Sequence, residues 1–289
     1  MPDTPDNPTD NPTDSTGDNT GDVTRRVLDR CRELGFAAFG IAGASPSAFR
    51  AELLDWIDAG KHGEMAWLAE HAELRADPGK ALDGARSAIM VADLYAARSA
   101  NTDPPLEPGR GRIARYARGR DYHKTIKKRL HALADGLRER YPEAGFKAFV
   151  DTAPVPEREL AARAGIGWTG KHTLTINPKL GSYMLLGGVL TTLELEPPPE
   201  QAAITDHCGT CTRCIEACPT DAITPYSVDA TRCISYLTIE HRGPIDPAFH
   251  GPIGSWLFGC DICQEVCPHN SPKPGTDQPE VRDDYRAAR

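Results

Sequence analysis

The chain has 289 residues, enough for one large domain or two ordinary ones with a buried core. Its net charge of −8 is unevenly distributed, because residues 1–22 contain six Asp and no Lys, Arg or Glu, which leaves −2 for the rest. No stretch approaches the roughly 20 apolar residues of a membrane span, and Arg25-Arg26 precedes charged residues rather than the apolar region of an export signal. We therefore expect a cytoplasmic protein without a membrane partner.

Helices and strands are expected to mix along the chain. Between Met1 and Val23 no large apolar side chain occurs, so residues 1–22 are predicted to be a disordered acidic tail. Amphipathic or apolar patterns then predict helices over 23–34, 47–58, 122–141 and 158–164, and strands over 87–94, 147–150 and 183–195. Cys31 falls on the apolar stripe of the first helix and is predicted to be a core residue. Because no regular βαβ repeat occurs, the fold class is predicted to be α+β, with mixed α/β content.

The proline-rich segment 196–200 is predicted to be a stiff linker. It separates a body over 23–196 from a cysteine-rich unit over 201–270, and residues 271–289 are predicted to be a loose C-terminal tail. The body contains neither a Gly-x-Gly-x-x-Gly motif after a strand nor a Walker loop, so nucleotide cofactors are disfavoured.

Eight of the nine cysteines lie in the unit over 201–270. The first run has the bacterial ferredoxin spacing, in which the fourth cysteine ligates the other cluster. The second run lacks one member, which Cys233 supplies from a distance. The crossover rule therefore predicts two 4Fe–4S clusters, one held by Cys208, Cys211, Cys214 and Cys267 and the other by Cys218, Cys233, Cys260 and Cys263. Zinc is the alternative, but no His pair completes a zinc site.

Two further features suggest chemistry beyond the clusters. Asp151 ends an apolar strand, where partial burial would raise the pKa of its carboxyl and suit it to proton donation, although a strand-end Asp more often caps the next turn. Residues 110–140 contain eleven basic and three acidic residues, which indicates a polyanion site such as RNA or DNA, against the alternative of a solvated helix face.

Several motifs together resemble the epoxyqueuosine reductase family, the cobalamin-dependent enzymes of the last step of queuosine synthesis in tRNA. The resemblance covers residues 23–270. Apart from both cysteine runs, it is carried by Gly119-Arg-Asp-Tyr-His123, Asp151-Thr-Ala-Pro-Val with Glu157-Arg158, Ala164-Gly-Ile-Gly-Trp-Thr-Gly-Lys-His172, Leu180-Gly-Ser-Tyr and Cys233-Ile-Ser-Tyr-Leu-Thr-Ile-Glu240.

The resemblance implies a cobalamin-binding domain followed by a ferredoxin-like double-cluster domain. It implies that Asp151 is the catalytic proton donor and that cobalamin is lined by Arg75, Ala114, Asp151, Thr175, Leu186, Val189, Ser235, Cys260 and Asp261. The implied substrate is tRNA carrying epoxyqueuosine in the anticodon, with predicted contacts at Lys127, Lys128, Arg129 and His241. An unidentified electron donor is expected as a partner, and we expect a monomer.

The sequence departs from the family at Pro156 and His269, and neither position is a cluster ligand. It also ends soon after the second cysteine run, so we expect no helical-repeat extension of the kind that helps some members to hold tRNA. Three other functions stay open at this point: an electron-transfer module, a relative of the reductive dehalogenases, and a nucleic-acid-binding redox sensor.

Overall fold

The computed structural model describes residues 19–98, 106–272 and 280–286. Its helices are α1 (Thr20–Glu33), α2 (Arg50–Asp58), α3 (Ala66–Glu70), α4 (Ala72–Ala76), α5 (Pro78–Ala81), α6 (Tyr122–Arg140), α7 (Glu157–Arg163), α8 (Arg213–Glu216), α9 (Ile234–Ile239), α10 (His250–Ile253) and α11 (Ile262–Glu265). Its strands are β1 (Ala38–Gly43), β2 (Ser87–Leu94), β3 (Arg112–Ile113), β4 (Phe146–Phe149), β5 (Trp168–Thr169), β6 (Thr175–Ile176), β7 (Met184–Thr191), β8 (Ile223–Thr224), β9 (Ser227–Val228) and β10 (Trp256–Phe258).

A four-stranded sheet in the order β1-β2-β7-β4 forms the centre of the molecule, and each pair of neighbours is antiparallel. In its register Ile89 lies opposite Ile41 on one side and Val189 on the other. Every residue of β2 is buried, because helices cover both faces of the sheet. The uninterrupted apolar run that predicted this strand is typical of such a position.

The two faces of the sheet bury two separate apolar cores. On one face Ile41, Ile89 and Val189 pack with the buried side chains of α1 and α6. On the other face the alternate residues Ala88, Met90 and Ala92 pack with α7 through Leu160 and Ala161. The period of two along β2 therefore determines which core each side chain enters. Cys31 is fully buried in the first core, as the helical stripe predicted.

The predicted elements are present, with ends that differ by a few residues. Mixed helices and strands confirm the predicted fold class. The first helix starts earlier than predicted, at Thr20, because the Asn19 side chain accepts a hydrogen bond from the Gly21 N–H and caps it. Residues 20–22 of the predicted acidic tail are therefore helical, whereas residues 1–18 lie outside the described part of the chain.

Part of the predicted C-terminal tail packs on the body. Residues 280–286 include a short 3₁₀ helix, Asp283–Tyr285, and the Tyr285 ring is buried in the first core. The Asp284 carbonyl accepts a hydrogen bond from the Arg120 N–H at 2.7 Å. Residues 280–286 are therefore not loose as predicted, because the Tyr285 side chain packs in the first core. Residues 273–279 and 287–289 of the predicted tail lie outside the described residues.

The cysteine-rich unit, which follows the predicted linker, packs against the body that precedes it. The Trp56 indole N–H donates to the Val228 carbonyl at 2.7 Å, and the Glu64 N–H donates to the Tyr236 hydroxyl at 2.8 Å. A third core, which includes Ala114 and Trp256, continues this contact. The division into domains at 196–200 stays a prediction. Within the described residues, no helix combines the length and apolar character needed to cross a membrane.

Candidate active site

The eight C-terminal cysteines line two cavities, four to each. The smaller cavity, of about 180 Å³, is lined by Cys208, Cys211, Cys214 and Cys267. The larger, of about 450 Å³, is lined by Cys218, Cys233, Cys260 and Cys263. Each run thus contributes its last cysteine to the other set, which is the division that the crossover rule predicts. Across residues 19–98, 106–272 and 280–286, no three His, Cys, Asp or Glu side chains group closely enough to hold a single metal ion.

Short local elements place these sulfurs. The Cys211 N–H donates to the Cys208 carbonyl and closes a tight turn, after which α8 carries Cys214. The equivalent helix of the second run, α11, carries Cys263 and packs against α8. The Ala222 N–H points at the Cys218 sulfur, 3.4 Å away. Close turns with amides directed at sulfur suit a cluster, whose sulfurs accept such hydrogen bonds.

Two buried nitrogen donors stand beside the smaller cavity. Burial raises the pKa of Cys208, and the indole N–H of Trp168 opposes that rise. The His172 ring lines both cavities, and its Nδ1 accepts from the Leu174 N–H at 3.2 Å. Burial lowers the pKa of His172 to about 4, so the ring is neutral near pH 7 and its proton is on Nε2. This buried Nε2 has no hydrogen-bond partner within the described protein residues.

The larger cavity reaches from the cysteines to Asp151. Asp151 (φ 45°) and Thr173 (φ 68°), both of which line it, adopt the left-handed backbone region that non-glycine residues seldom occupy. Such strained residues concentrate at functional sites. The Oγ1 atom of Thr175, another lining residue, is buried and has no hydrogen-bond partner among the residues that the structure describes. A polar atom of this kind, facing a large cavity, fits a bound cofactor that would supply its partner.

The Asp151 carboxyl is held by the start of α6. Its Oδ2 accepts a hydrogen bond from the Tyr122 hydroxyl at 2.7 Å and lies 3.1 Å from His123 Nε2. The other ring nitrogen of His123 lies 3.0 Å from Asp121 Oδ1, and Asp121 also caps the helix. Asp151 is less buried than the sequence suggested, since 56% of its side chain is exposed. It is therefore positioned by hydrogen bonds at the rim of the cavity and not by enclosure.

Further charged groups surround Asp151. Burial, reinforced by the charge of Asp151, raises the pKa of Glu157 to about 8, and its buried Oε1 has no hydrogen-bond partner within the described part of the chain. The guanidinium groups of Arg75 and Arg158 interact electrostatically with both carboxyls. At the other end of the cavity, burial raises the pKa of Asp261, while the backbone N–H and guanidinium of Arg115 oppose that rise.

Six of the nine predicted cobalamin contacts line the larger cavity: Asp151, Thr175, Leu186, Ser235, Cys260 and Asp261. The other three do not. Arg75 lies over the Trp67 ring at 5.0 Å. Ala114 lies behind the wall in the third core. Val189 is a correction: its fully buried side chain packs in the first core, and its backbone pairs with both neighbouring strands.

The predicted tRNA contacts differ in their exposure to solvent. Lys127 and Lys128 are exposed on α6. Arg129 is a correction: it is buried and ion-paired with Asp93, whose other partner is the Tyr285 hydroxyl. A surface ligand cannot reach this guanidinium. His241 is partly buried, with its Nδ1 3.4 Å from a Glu64 oxygen.

Some site residues were not among the predicted ones. Tyr122 and His123 belong to a motif that carried the resemblance, and their place at a helix start beside Asp121 was the signal that could have identified them. Glu157 and Arg158 likewise lay in a quoted motif. Tyr95 and Tyr116 carried no sequence signal, and the fold brings them to the cavity.

Comparison with known proteins agrees with this arrangement. Residues 207–270 match the family model described as 4Fe-4S double cluster binding domain. Residues 75–152 match the model described as Epoxyqueuosine reductase QueG, DUF1730. The epoxyqueuosine reductase of Leadbetterella byssophila is 44% identical over 83% of this chain and 77% of its own length. That of Xanthomonas campestris is 43% identical over 89% of this chain and 72% of its own length.

Solved structures extend the comparison. An epoxyqueuosine reductase crystallised with a tRNA-Tyr epoxyqueuosine-modified stem loop has a TM-score of 0.82 and 30% identity, over 93% of this chain and 70% of that one. A reductive dehalogenase described as B12-dependent has a TM-score of 0.51 at 15% identity, which shows a shared fold alone. The sequence identity to the curated relatives, and the share of both chains that it covers, favour the epoxyqueuosine reductases over the three alternatives that the sequence left open. This chain belongs to the epoxyqueuosine reductase family.

Proposed function

We infer that this chain reduces epoxyqueuosine to queuosine at the wobble position of tRNA, with cobalamin and two 4Fe–4S clusters as cofactors. One observation carries the inference. A single cavity is lined at one end by four cysteines of a double-cluster domain and at the other by a carboxyl that a tyrosine and a histidine hold in place. The groups that would supply electrons and the group that would supply protons thus line the same cavity, as a reductase of this family requires.

The residues of the cavity fit the proposed cofactors. Cys218, Cys233, Cys260 and Cys263 would hold the cluster nearer to cobalamin, and Cys208, Cys211, Cys214 and Cys267 the outer one. For cobalamin we retain Thr175, Leu186, Ser235 and Asp261, which line the same cavity. Bound there, the clusters would supply single electrons and cobalamin would supply a redox-active cobalt centre.

The reaction sets the requirements that the protein must meet. Conversion of an epoxide to an alkene breaks two carbon–oxygen bonds, consumes two electrons and two protons, and releases water. The protein must therefore deliver protons to one oxygen atom while it keeps other water away from the reacting carbons.

Asp151 is the proposed proton donor. Tyr122 and His123 both bind its Oδ2, which leaves Oδ1 as the oxygen that would carry the transferable proton. His123 Nε2 is close enough to return a proton to this carboxyl after each transfer. Asp121, which binds Nδ1, orients the ring. When bound tRNA covers the exposed side of Asp151, His123 at the start of α6 would still connect this carboxyl to solvent and supply its proton.

The remaining parts of the proposal concern partners. The exposed Lys127 and Lys128 are placed to contact tRNA phosphates, and His241 is retained as a more distant contact. We propose that an unidentified donor supplies the electrons and that the enzyme acts as a monomer. We propose the cytoplasm as the site of the reaction, because the proposed substrate is a tRNA and the clusters are sensitive to oxygen.

The test is anaerobic turnover of the reconstituted protein with cobalamin, a chemical reductant and epoxyqueuosine-bearing tRNA, followed by mass spectrometry of the nucleosides. Loss of one oxygen that requires both cobalamin and protein is the expected result. Asp151→Asn should lower turnover by about 10²–10⁴-fold and leave cluster content and cobalamin affinity unchanged. Turnover by this variant close to that of the wild type would rule out Asp151 as the donor.

A further inference from the structure

An exposed apolar ridge lies on the small sheet formed by β3 and β10. We define the ridge as Ile113, Leu257 and Phe258, which are 43%, 66% and 37% exposed. The strands pair in parallel with a register shift between Trp256 and Phe258. This irregularity turns both Leu257 and Phe258 outward while Trp256 stays buried. Exposed apolar side chains scattered singly need no explanation, but three on one two-stranded sheet indicate a binding surface.

Leu257 is held in its exposed position by the backbone beside it. A Cβ atom added to Gly111 would lie 2.2 Å from a Leu257 methyl carbon, so the leucine side chain rests directly on this glycine. Leu257 is thus packed against the backbone on one side, although most of its side chain is exposed. A rigid apolar surface loses less conformational entropy when a ligand covers it.

Aromatic contacts lead from the ridge to Asp151. The Phe258 ring centroid lies 6.4 Å from that of Tyr116, and the Tyr116 centroid lies 6.1 Å from that of Tyr122. Tyr122 in turn donates to the Asp151 carboxyl. Beyond Phe258 the chain passes through Gly259 into Cys260, which lines the cavity. The ridge therefore adjoins the wall of the cavity that contains the proposed proton donor.

Basic side chains flank the ridge. The Arg112 guanidinium lies 5.8 Å from the Trp256 ring centroid, and Arg118 Nε donates to the Ile113 carbonyl at 2.8 Å. Arg110, two residues before Arg112, is exposed. Apolar and aromatic surface bordered by arginines is the combination that binds single-stranded RNA, because bases stack on the former and phosphates pair with the latter.

We propose that the ridge binds the unpaired anticodon-loop bases that adjoin the modified base, with Arg110 and Arg112 on the intervening phosphates. This inference rests on the proposed function and adds the surface that grips the loop. When the modified base enters the cavity, its neighbours in the same loop lie across the adjoining surface, which is the ridge. The lysines of α6 then contribute charge, and the ridge contributes base stacking.

The experiment measures binding of an epoxyqueuosine-bearing anticodon stem–loop to the anaerobic holoenzyme by fluorescence anisotropy. Phe258→Ala and Leu257→Ala should each weaken binding about fivefold or more, as loss of a stacked base does, with the salt dependence unchanged. Phe258→Trp should retain wild-type affinity. Arg112→Gln should weaken binding and reduce the salt slope by about one. The matched control is Phe49→Ala, which removes a side chain that is 59% exposed and lines neither cavity.

Iron content and cobalamin absorption must equal wild-type values in each variant, which excludes a folding defect. If wild type binds the stem–loop and the Phe258 and Leu257 variants bind it equally well, the ridge proposal fails and the proposed function stands. If these variants keep stem–loop affinity but lose reduction by a protein donor, the ridge binds that donor and the proposal fails. Absence of binding by the fully loaded wild type would overturn the proposed function as well.

Discussion

Arg129 offers a decisive test because the sequence and the structure assign it different roles. The sequence predicts a tRNA contact beside Lys127 and Lys128, whereas the structure buries the guanidinium against Asp93. Arg129 Nη1 lies 3.2 Å from Asp93 Oδ1, and Nη2 binds Oδ2. The Tyr285 hydroxyl donates to the same Oδ2 at 2.7 Å. Replacement by methionine would fill the space but leave the Asp93 carboxylate buried with one hydrogen bond.

The magnitude follows from the cost of an unpaired buried charge. Loss of one partner from a buried ion pair destabilises a protein by about 3–5 kcal/mol. At about 2–4 °C per kcal/mol for chains approaching this length, Arg129→Met should lower the Tm by roughly 6–20 °C. Lys128→Met, at the adjacent exposed position, should change the free energy of unfolding by no more than about 0.5 kcal/mol.

The assay is thermal unfolding of both anaerobic holoproteins, followed by circular dichroism, with stem–loop affinity measured below the transition. We expect Arg129→Met to lose stability and keep affinity, and Lys128→Met to show the reverse pattern. A wild-type Tm for Arg129→Met together with weakened, less salt-dependent tRNA binding would refute the structural account and restore the prediction from sequence.

Three other predictions concern the site. His123→Gln should slow turnover by about tenfold or more and alter its pH profile, with cobalamin affinity unchanged, because the ring returns protons to Asp151; an unaltered profile would exclude this role. The folded-state pKa of Glu157, about 8, lies above its ordinary value of 4.5, so folded protein binds more protons between these values and its stability should fall as pH rises from about 5 to 8. Glu157→Gln should remove that part of the slope, and identical Tm-against-pH curves for variant and wild type would contradict the assignment. Cys211→Ser should lose roughly half of the iron and keep cobalamin binding, whereas retention of both clusters would contradict the division of cysteines.

The apolar periodicity predicted α6 well, and the same periodicity indicates that Arg129 lies on the buried face of this helix. Ile126, Leu130 and Leu133 are fully buried, as their helical spacing requires. Arg129 follows Ile126 by three residues and precedes Leu133 by four, which puts it on the same face. Basic character alone suggested a surface ligand. The partner, Asp93, is distant in sequence, so the ion pair could not be read from the helix.

The part of each cysteine set that is close in sequence could be predicted from local spacing, whereas the surroundings of the larger cavity could not. Cys208, Cys211 and Cys214 converge through one turn and one short helix, which the spacing alone implies. The Asp151 surroundings depend on contacts between distant segments. Tyr122 reaches Asp151 across 29 positions, and Tyr95 bonds Gln264 across 169. Such contacts follow from packing of the sheet and helices, which sequence patterns do not specify.

The predicted boundary at 196–200 separates segments that build one site. Asp151 and Thr175 precede it and Ser235 and Cys260 follow it, yet all four line the larger cavity. The Lys171 ammonium, from the body, donates to the carbonyls of Gly209 and Cys211 in the first cysteine run. His172, the next residue, lines both cavities. A cut at the linker would therefore remove walls from both cavities, and the cluster unit depends on the body for its own enclosure.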